Sequence, residues 1–101
     1  MYQLVLQIPA NTIRDYDALV ALEEELIAEL GENAVDGYDM GSGEANIFLL
    51  TCHPQKTFQE VFPILERSGY ISQLNAAYRS TDEDQYYVVW PKNSRRPFSV
   101  A

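Results

Sequence analysis

Between Tyr2 and Leu30 the hydrophobic spacing changes from that of a strand to that of a helix. Tyr2, Leu4, Leu6 and Ile8 alternate with Gln3, Val5 and Gln7. Successive side chains of a strand point to opposite faces, so this run predicts a half-buried strand. Pro9 lacks a backbone donor and ends it. Further on, Leu19, Leu22, Leu26 and Leu30 recur at helical spacing with Ile27 beside them, and Glu23, Glu24, Glu25 and Glu29 take the outer side. Asp15 or Asp17 can cap this helix, and Gly31 is placed to stop it. A strand feeding an amphipathic helix restricts the chain to a layered mixture of α and β.

The remaining elements follow from the same logic. Residues 34–40 and 44–52 read as strands, and Gly41-Ser42-Gly43 between them reads as a hairpin turn, because glycine supplies the positive φ of tight turns. The second of these strands is almost wholly apolar and is expected to be central. His53-Pro54 opens a second helix with Phe58, Val61, Phe62 and Leu65 on its apolar face. Pro63 is expected to kink it or loosen its last turns, and Gly69 to close it. Residues 74–79 and 86–90 are strand candidates joined by a turn over 80–85. The order β-α-β-β-α-β with an additional C-terminal strand predicts an α+β fold, a ferredoxin-like two-layer sandwich with both helices on one sheet face. This predicts a single domain over 1–90, with 91–101 as a basic C-terminal tail or arm. The opposite sheet face is expected to carry aromatic side chains drawn from Tyr2, Tyr38, Phe48, Tyr78, Tyr86 and Tyr87. An exposed apolar face of that kind calls for a partner or a second subunit.

Composition narrows the functional classes. The chain has 101 residues, 47% of them hydrophobic, enough for one core without a staple. Cys52 is the only cysteine, so no intrachain disulfide forms, as suits a reducing compartment. The first residues lack the features of a signal peptide, and the longest apolar runs fall short of the roughly 20 residues of a membrane span. A cytoplasmic location without membrane association is expected. The net charge is −8, and up to Glu66 only Arg14 and Lys56 stand against twelve carboxylates. Such a body repels a phosphate backbone, which excludes nucleic acid and favours a basic partner. The charge also serves solubility.

The stretch Asp36-Gly37-Tyr38-Asp39-Met40-Gly41-Ser42-Gly43-Glu44-Ala45-Asn46-Ile47-Phe48 resembles small uncharacterised bacterial ferredoxin-like proteins. They share a DGxDxGSGExNIF-type hairpin followed by a proline-initiated helix. The resemblance implies a fold and carries no catalytic assignment. In size, acidity and architecture the chain is also similar to some immunity proteins of bacterial toxin systems.

Several groups of side chains have the residue types for chemistry. Asp36, Asp39, Ser42, Glu44 and Asn46 set oxygen ligands around one turn, which suits calcium or magnesium. On a regular strand Asp36 and Asp39 point to opposite faces, and a bulge at Gly37 is needed to realign them. The alternative is that these side chains satisfy turn amides and neighbouring backbone. Gly37, Gly41 and Gly43 match no phosphate-binding fingerprint, since a strand rather than a helix follows them. Cys52 and His53 are sequence neighbours that a strand would point apart. Cys52 reads as a small core residue and His53 as a helix cap or surface residue. The third strand lacks the basic-glycine-aromatic pattern of sheets that bind RNA. Asp82-Glu83-Asp84 reads as a solvated turn.

No catalytic residue, metal ligand or cofactor is assigned. Tyrosine, tryptophan and arginine carry interface energy, so Tyr86, Tyr87, Trp90, Arg95 and Arg96 are the candidate contact residues. Packing of a terminal strand is the plainer account of them. The function expected is a protein-binding module, engaging itself as a homodimer or a basic protein partner, with an immunity-type inhibitor as one version. The alternatives are a dimeric ferredoxin-like enzyme or small-ligand-binding protein, and a metal-responsive domain using the acidic hairpin.

Overall fold

The structure is a computed structural model and describes every residue except Arg14, Ser42, Arg95, Arg96 and Ala101. Strands β1 (Tyr2–Pro9), β2 (Val35–Gly41), β3 (Glu44–Thr51), β4 (Asn75–Ser80) and β5 (Tyr87–Trp90) form one antiparallel sheet in the order β2-β3-β1-β4-β5. Helix α1 (Tyr16–Leu30) joins β1 to β2, and α2 (Pro54–Arg67) joins β3 to β4. Every neighbouring pair is antiparallel. It follows that β1 and β2 run the same way with β3 between them, and β3 and β4 do so with β1 between them. The α+β class, an antiparallel sheet and two helices are therefore as expected from the hydrophobic pattern.

The helix ends show why these segments are helical. Asp15 is the cap of α1, its Oδ1 accepting the Ala18 N–H at 2.9 Å. Gly31 ends the helix by donating its N–H to the Ile27 carbonyl at 2.7 Å. At the end of α2, Gly69 donates to Glu66 and Tyr70 to Leu65, at 3.1 and 2.9 Å. This paired closure needs a left-handed residue, and Gly69 supplies it at φ 84°. Pro63 departs from expectation. The helix runs through it to Arg67. Proline deletes only one helical donor, Pro63 itself is exposed, and the buried Val61, Ile64 and Leu65 around it hold the turn to the sheet.

Alternation along β1 assigns the sheet faces. Leu4 lies between Leu49 and Tyr78, Leu6 between Ile47 and Ala76, and Ile8 beside Ala45. These residues join Leu19, Leu22 and Leu26 of α1 and Phe58, Val61, Ile64 and Leu65 of α2 in one buried core. Each fully buried leucine or isoleucine contributes about 1.5–3 kcal/mol. The two helices thus share one face of the sheet. No helix among the described residues is long and apolar enough to cross a membrane.

The register corrects the expected placement of the tyrosines. Tyr2 falls on the face of Leu4, Tyr78 pairs with Leu4, Tyr87 pairs with Tyr78, and Tyr38 pairs with Ile47, so all four lie on the helix side. Of the residues expected opposite the helices, Phe48 is there, across from Val5. Cys52 is exposed rather than in the core. It lies in the turn between β3 and α2, beyond the last paired residue.

Candidate functional site

Helix α2 has more apolar surface than the sheet can cover. Phe58, Val61, Ile64 and Leu65 are buried, whereas Phe62 is half-buried and Pro63 exposed. Strand β5 takes up part of the surplus. Trp90, opposite Ala76, turns its ring to the helix, with centroids 5.2 Å from Phe62 and 6.1 Å from Phe58. Its indole Nε1–H donates to the Ile71 carbonyl at 3.2 Å. Phe58 and Phe62 meet edge to face at 5.9 Å, one helical turn apart. Between this aromatic cluster and β5 runs a groove of about 780 Å³, walled by Phe58, Phe62, Pro63, Val89 and Trp90, with Gln59 and Lys92 among its polar lining.

A second groove, of about 330 Å³, lies on the other side of α2, toward α1. Glu25, Glu29 and Glu60 line it together with Arg67 and Pro63. Pro63 thus stands in the wall of both, and the exposed side of α2 is a ridge with an aromatic groove on one flank and an acidic groove on the other.

The two sheet edges differ in the same sense. Edge strand β2 carries exposed Asp36 and Asp39 and a register break between Val35 and Gly37, where Gly37 has φ 128°. Charges and bulges on an edge discourage a further strand. Edge strand β5, Tyr87-Val88-Val89-Trp90, carries no charged residue and pairs with β4 alone.

The sequence-chosen residues divide between these places. Among the interface candidates, Trp90 forms the groove wall. Tyr87 is exposed and stacks on Tyr78 at 5.5 Å, and Tyr86 meets Phe98 at 5.0 Å. Arg95 and Arg96 lie outside the described residues, as does Ser42 of the hairpin set. In the hairpin, Asp39 pairs across strands with Asn46, and Gly41 with Glu44. Asn46 is buried and accepts a hydrogen bond from Gln7 Nε2 at 3.0 Å. Asp36 falls in the register break. Among the described residues no group of three or more His, Cys, Asp or Glu side chains could hold a metal ion.

Cys52 and His53 are both exposed and line a cleft of about 340 Å³ with Tyr2, Lys56 and Tyr78 at the start of α2. His53 occupies the cap position without a capping side-chain bond. Instead its N–H donates to Thr51 Oγ1 at 2.9 Å, and that hydroxyl lies 2.7 Å from Thr57 Oγ1. On α1, Tyr16 is hydrogen-bonded to Tyr38 of β2 through their hydroxyls. That bond, with partial desolvation and the charges of Tyr16 and Glu23, pushes the Tyr38 phenol from 10.0 up to about 12.

Sequence reasoning missed Phe58, Phe62, Pro63 and the glutamates as parts of one surface. The available signal was Phe62-Pro63 beside the buried stripe of α2, an apolar face wider than one sheet contact requires. No family model, curated protein or solved structure matches the chain.

Proposed function

We propose that this protein is a binding module for a basic partner protein, docking a segment that carries both cationic and apolar side chains across the α2 ridge. The observation that carries this reading is the shared wall at Pro63. Apolar side chains of such a segment fill the groove beside Trp90 while its cations face Glu25, Glu29 and Glu60. Aromatic anchors in a pocket supply affinity, and opposite charge supplies encounter rate and selectivity. A net charge of −8 acts in the same direction. An inhibitor of a basic toxin, of the immunity type, is one instance. The free, exposed Cys52 suits work in a reducing cytoplasm. The ferredoxin-like reading of the topology belongs with this proposal. Its support is the pair of split crossovers, each parallel pair of strands holding a third between them. The departure is β5, added beyond β4.

Trp90 is the only tryptophan, so its emission reports on the groove directly. The test titrates the protein with a synthetic peptide of mixed arginine and leucine, and with a control in which glutamate replaces arginine. The expected result is a blue shift of Trp90 with the arginine peptide only, and an affinity that falls as salt rises. Equal binding of both peptides, or an unchanged Trp90 emission, would overturn the reading. Light scattering on the protein alone supplies the other arm. A salt-insensitive dimer that buries Trp90 would replace the basic partner by self-association.

A further inference from the structure

The aromatic groove beside α2 has a floor and a rim of different chemistry. Phe58, Phe62 and Trp90 meet one another in the floor. The polar lining is Gln55, Gln59, Lys92 and Asn93, all exposed. Among the described residues none that lines this groove is acidic, although the chain has fifteen carboxylates. The end of the chain is not the occupant. The Ser99 carbonyl accepts from Gln7 Nε2 at 2.9 Å, on the opposite face of the sheet.

Three of these four polar residues are carboxamides. Each carries a donor and an acceptor at one end, the same pair that a peptide unit presents. A helix uses its main-chain groups internally and leaves them open only at its ends. An extended segment leaves them free along its length, so carboxamides on a rim select that conformation. The spacing agrees. Gln55 and Gln59 lie four positions apart on α2, about 6 Å along its axis. Main-chain groups that point the same way along an extended segment recur every second residue, about 6.7 Å. From Gln55 to Pro63 the groove follows α2 for about 12 Å, close to the roughly 13 Å between the first and fifth residues of an extended segment. Side chains at positions one, three and five of such a segment share one side and meet the floor together.

Charge sets where the cations fall. Lys92 is the one charged side chain among the described groove residues, and it repels a cation placed there. Glu25, Glu29 and Glu60 lie across the ridge, on the flank that shares Pro63. The basic residues of a segment that spans both grooves therefore stand outside its alternating apolar stretch.

We infer, resting on the α2 ridge as the docking site, that the partner's segment binds there in extended conformation. Its apolar residues alternate along α2, Gln55 and Gln59 hold its main chain, and its cations form a separate block that crosses the ridge at Pro63.

Two synthetic peptides of equal composition test this, with Trp90 emission as the readout. One has leucines at positions one, three and five, the other at one, four and eight, the spacing of a helix face. Each is made with an arginine pair at either end. The alternating peptide is expected to bind about tenfold more tightly, the gain that two ordinary hydrogen bonds supply. The double variant Gln55→Ala, Gln59→Ala changes exposed positions only and should lose that preference. Methyl groups on the main-chain nitrogens of the alternating peptide should weaken its binding to the unaltered protein more than to the double variant. Equal or tighter binding of the helically spaced peptide overturns the inference while leaving the ridge as a binding site. A double variant that keeps the full preference does the same. Binding of neither peptide removes the ridge reading as well.

Discussion

Trp90 and Ile71 are joined by a hydrogen bond from the indole Nε1–H to the main-chain oxygen, 3.2 Å long, that ties the last strand to the short turn after α2. The bond orients the ring that walls the aromatic groove. Trp90→Phe keeps an aromatic ring and loses the donor, which should cost about 1 kcal/mol. Trp90→Ala also removes the packing on Phe58 and Phe62 and should cost about 3 kcal/mol. Urea denaturation of the three proteins checks both values.

Asn46 should matter for stability more than for chemistry. It is 2% exposed and accepts from Gln7 across β1 and β3. Asn46→Ala leaves one Gln7 donor facing a methyl group, and an unsatisfied buried donor should cost about 2 kcal/mol. A melting temperature equal to that of the unaltered protein would mean that water or the arm replaces the lost acceptor.

Pro63→Ala should separate stability from binding. The substitution restores a helical donor in the middle of α2 and should stabilise the fold by about 2 kcal/mol, less the entropy the unfolded chain regains. The same change removes the ring shared by both grooves, so the arginine–leucine peptide should bind more weakly. Thermal melting and Trp90 emission on one sample measure both effects.

Alkaline titration should reveal the Tyr16–Tyr38 pair. The Tyr38 phenol is raised to about 12 first by its bond to Tyr16, so the folded state holds its proton after the unfolded state has lost it. Its contribution to stability is fully present below pH 10.0 and is lost as pH rises through about 12. Tyr16→Phe removes the bonding partner, and tyrosinate absorbance should then show one phenol moving down toward 10.0.

Much of the architecture was readable because it rests on local rules. Asp15, Gly31 and Gly69 act at helix ends through bonds that span a few residues, and the alternation in β1 marks its two faces wherever the strand sits. The candidate site was less readable. In sequence Trp90 stands out as a contact residue by its type alone, and the residues that make it a groove wall, Phe58 and Phe62, lie about thirty positions earlier. The acidic hairpin is conspicuous in sequence, yet the register breaks between Val35 and Gly37, Asp36 and Asp39 are exposed, and the buried Asn46 bonds to Gln7 instead.

The sequence by itself determined the element order, the core stripe of each helix and the acidic charge, since all three depend on spacing or counting along the chain. Only the tertiary structure decided that Tyr2, Tyr38 and Tyr78 lie on the helix side, that Pro63 stands between two grooves and that Ser99 meets Gln7. Those outcomes depend on strand register and on the packing of distant segments. A shift of one residue in register would exchange the two faces, and no local propensity specifies it.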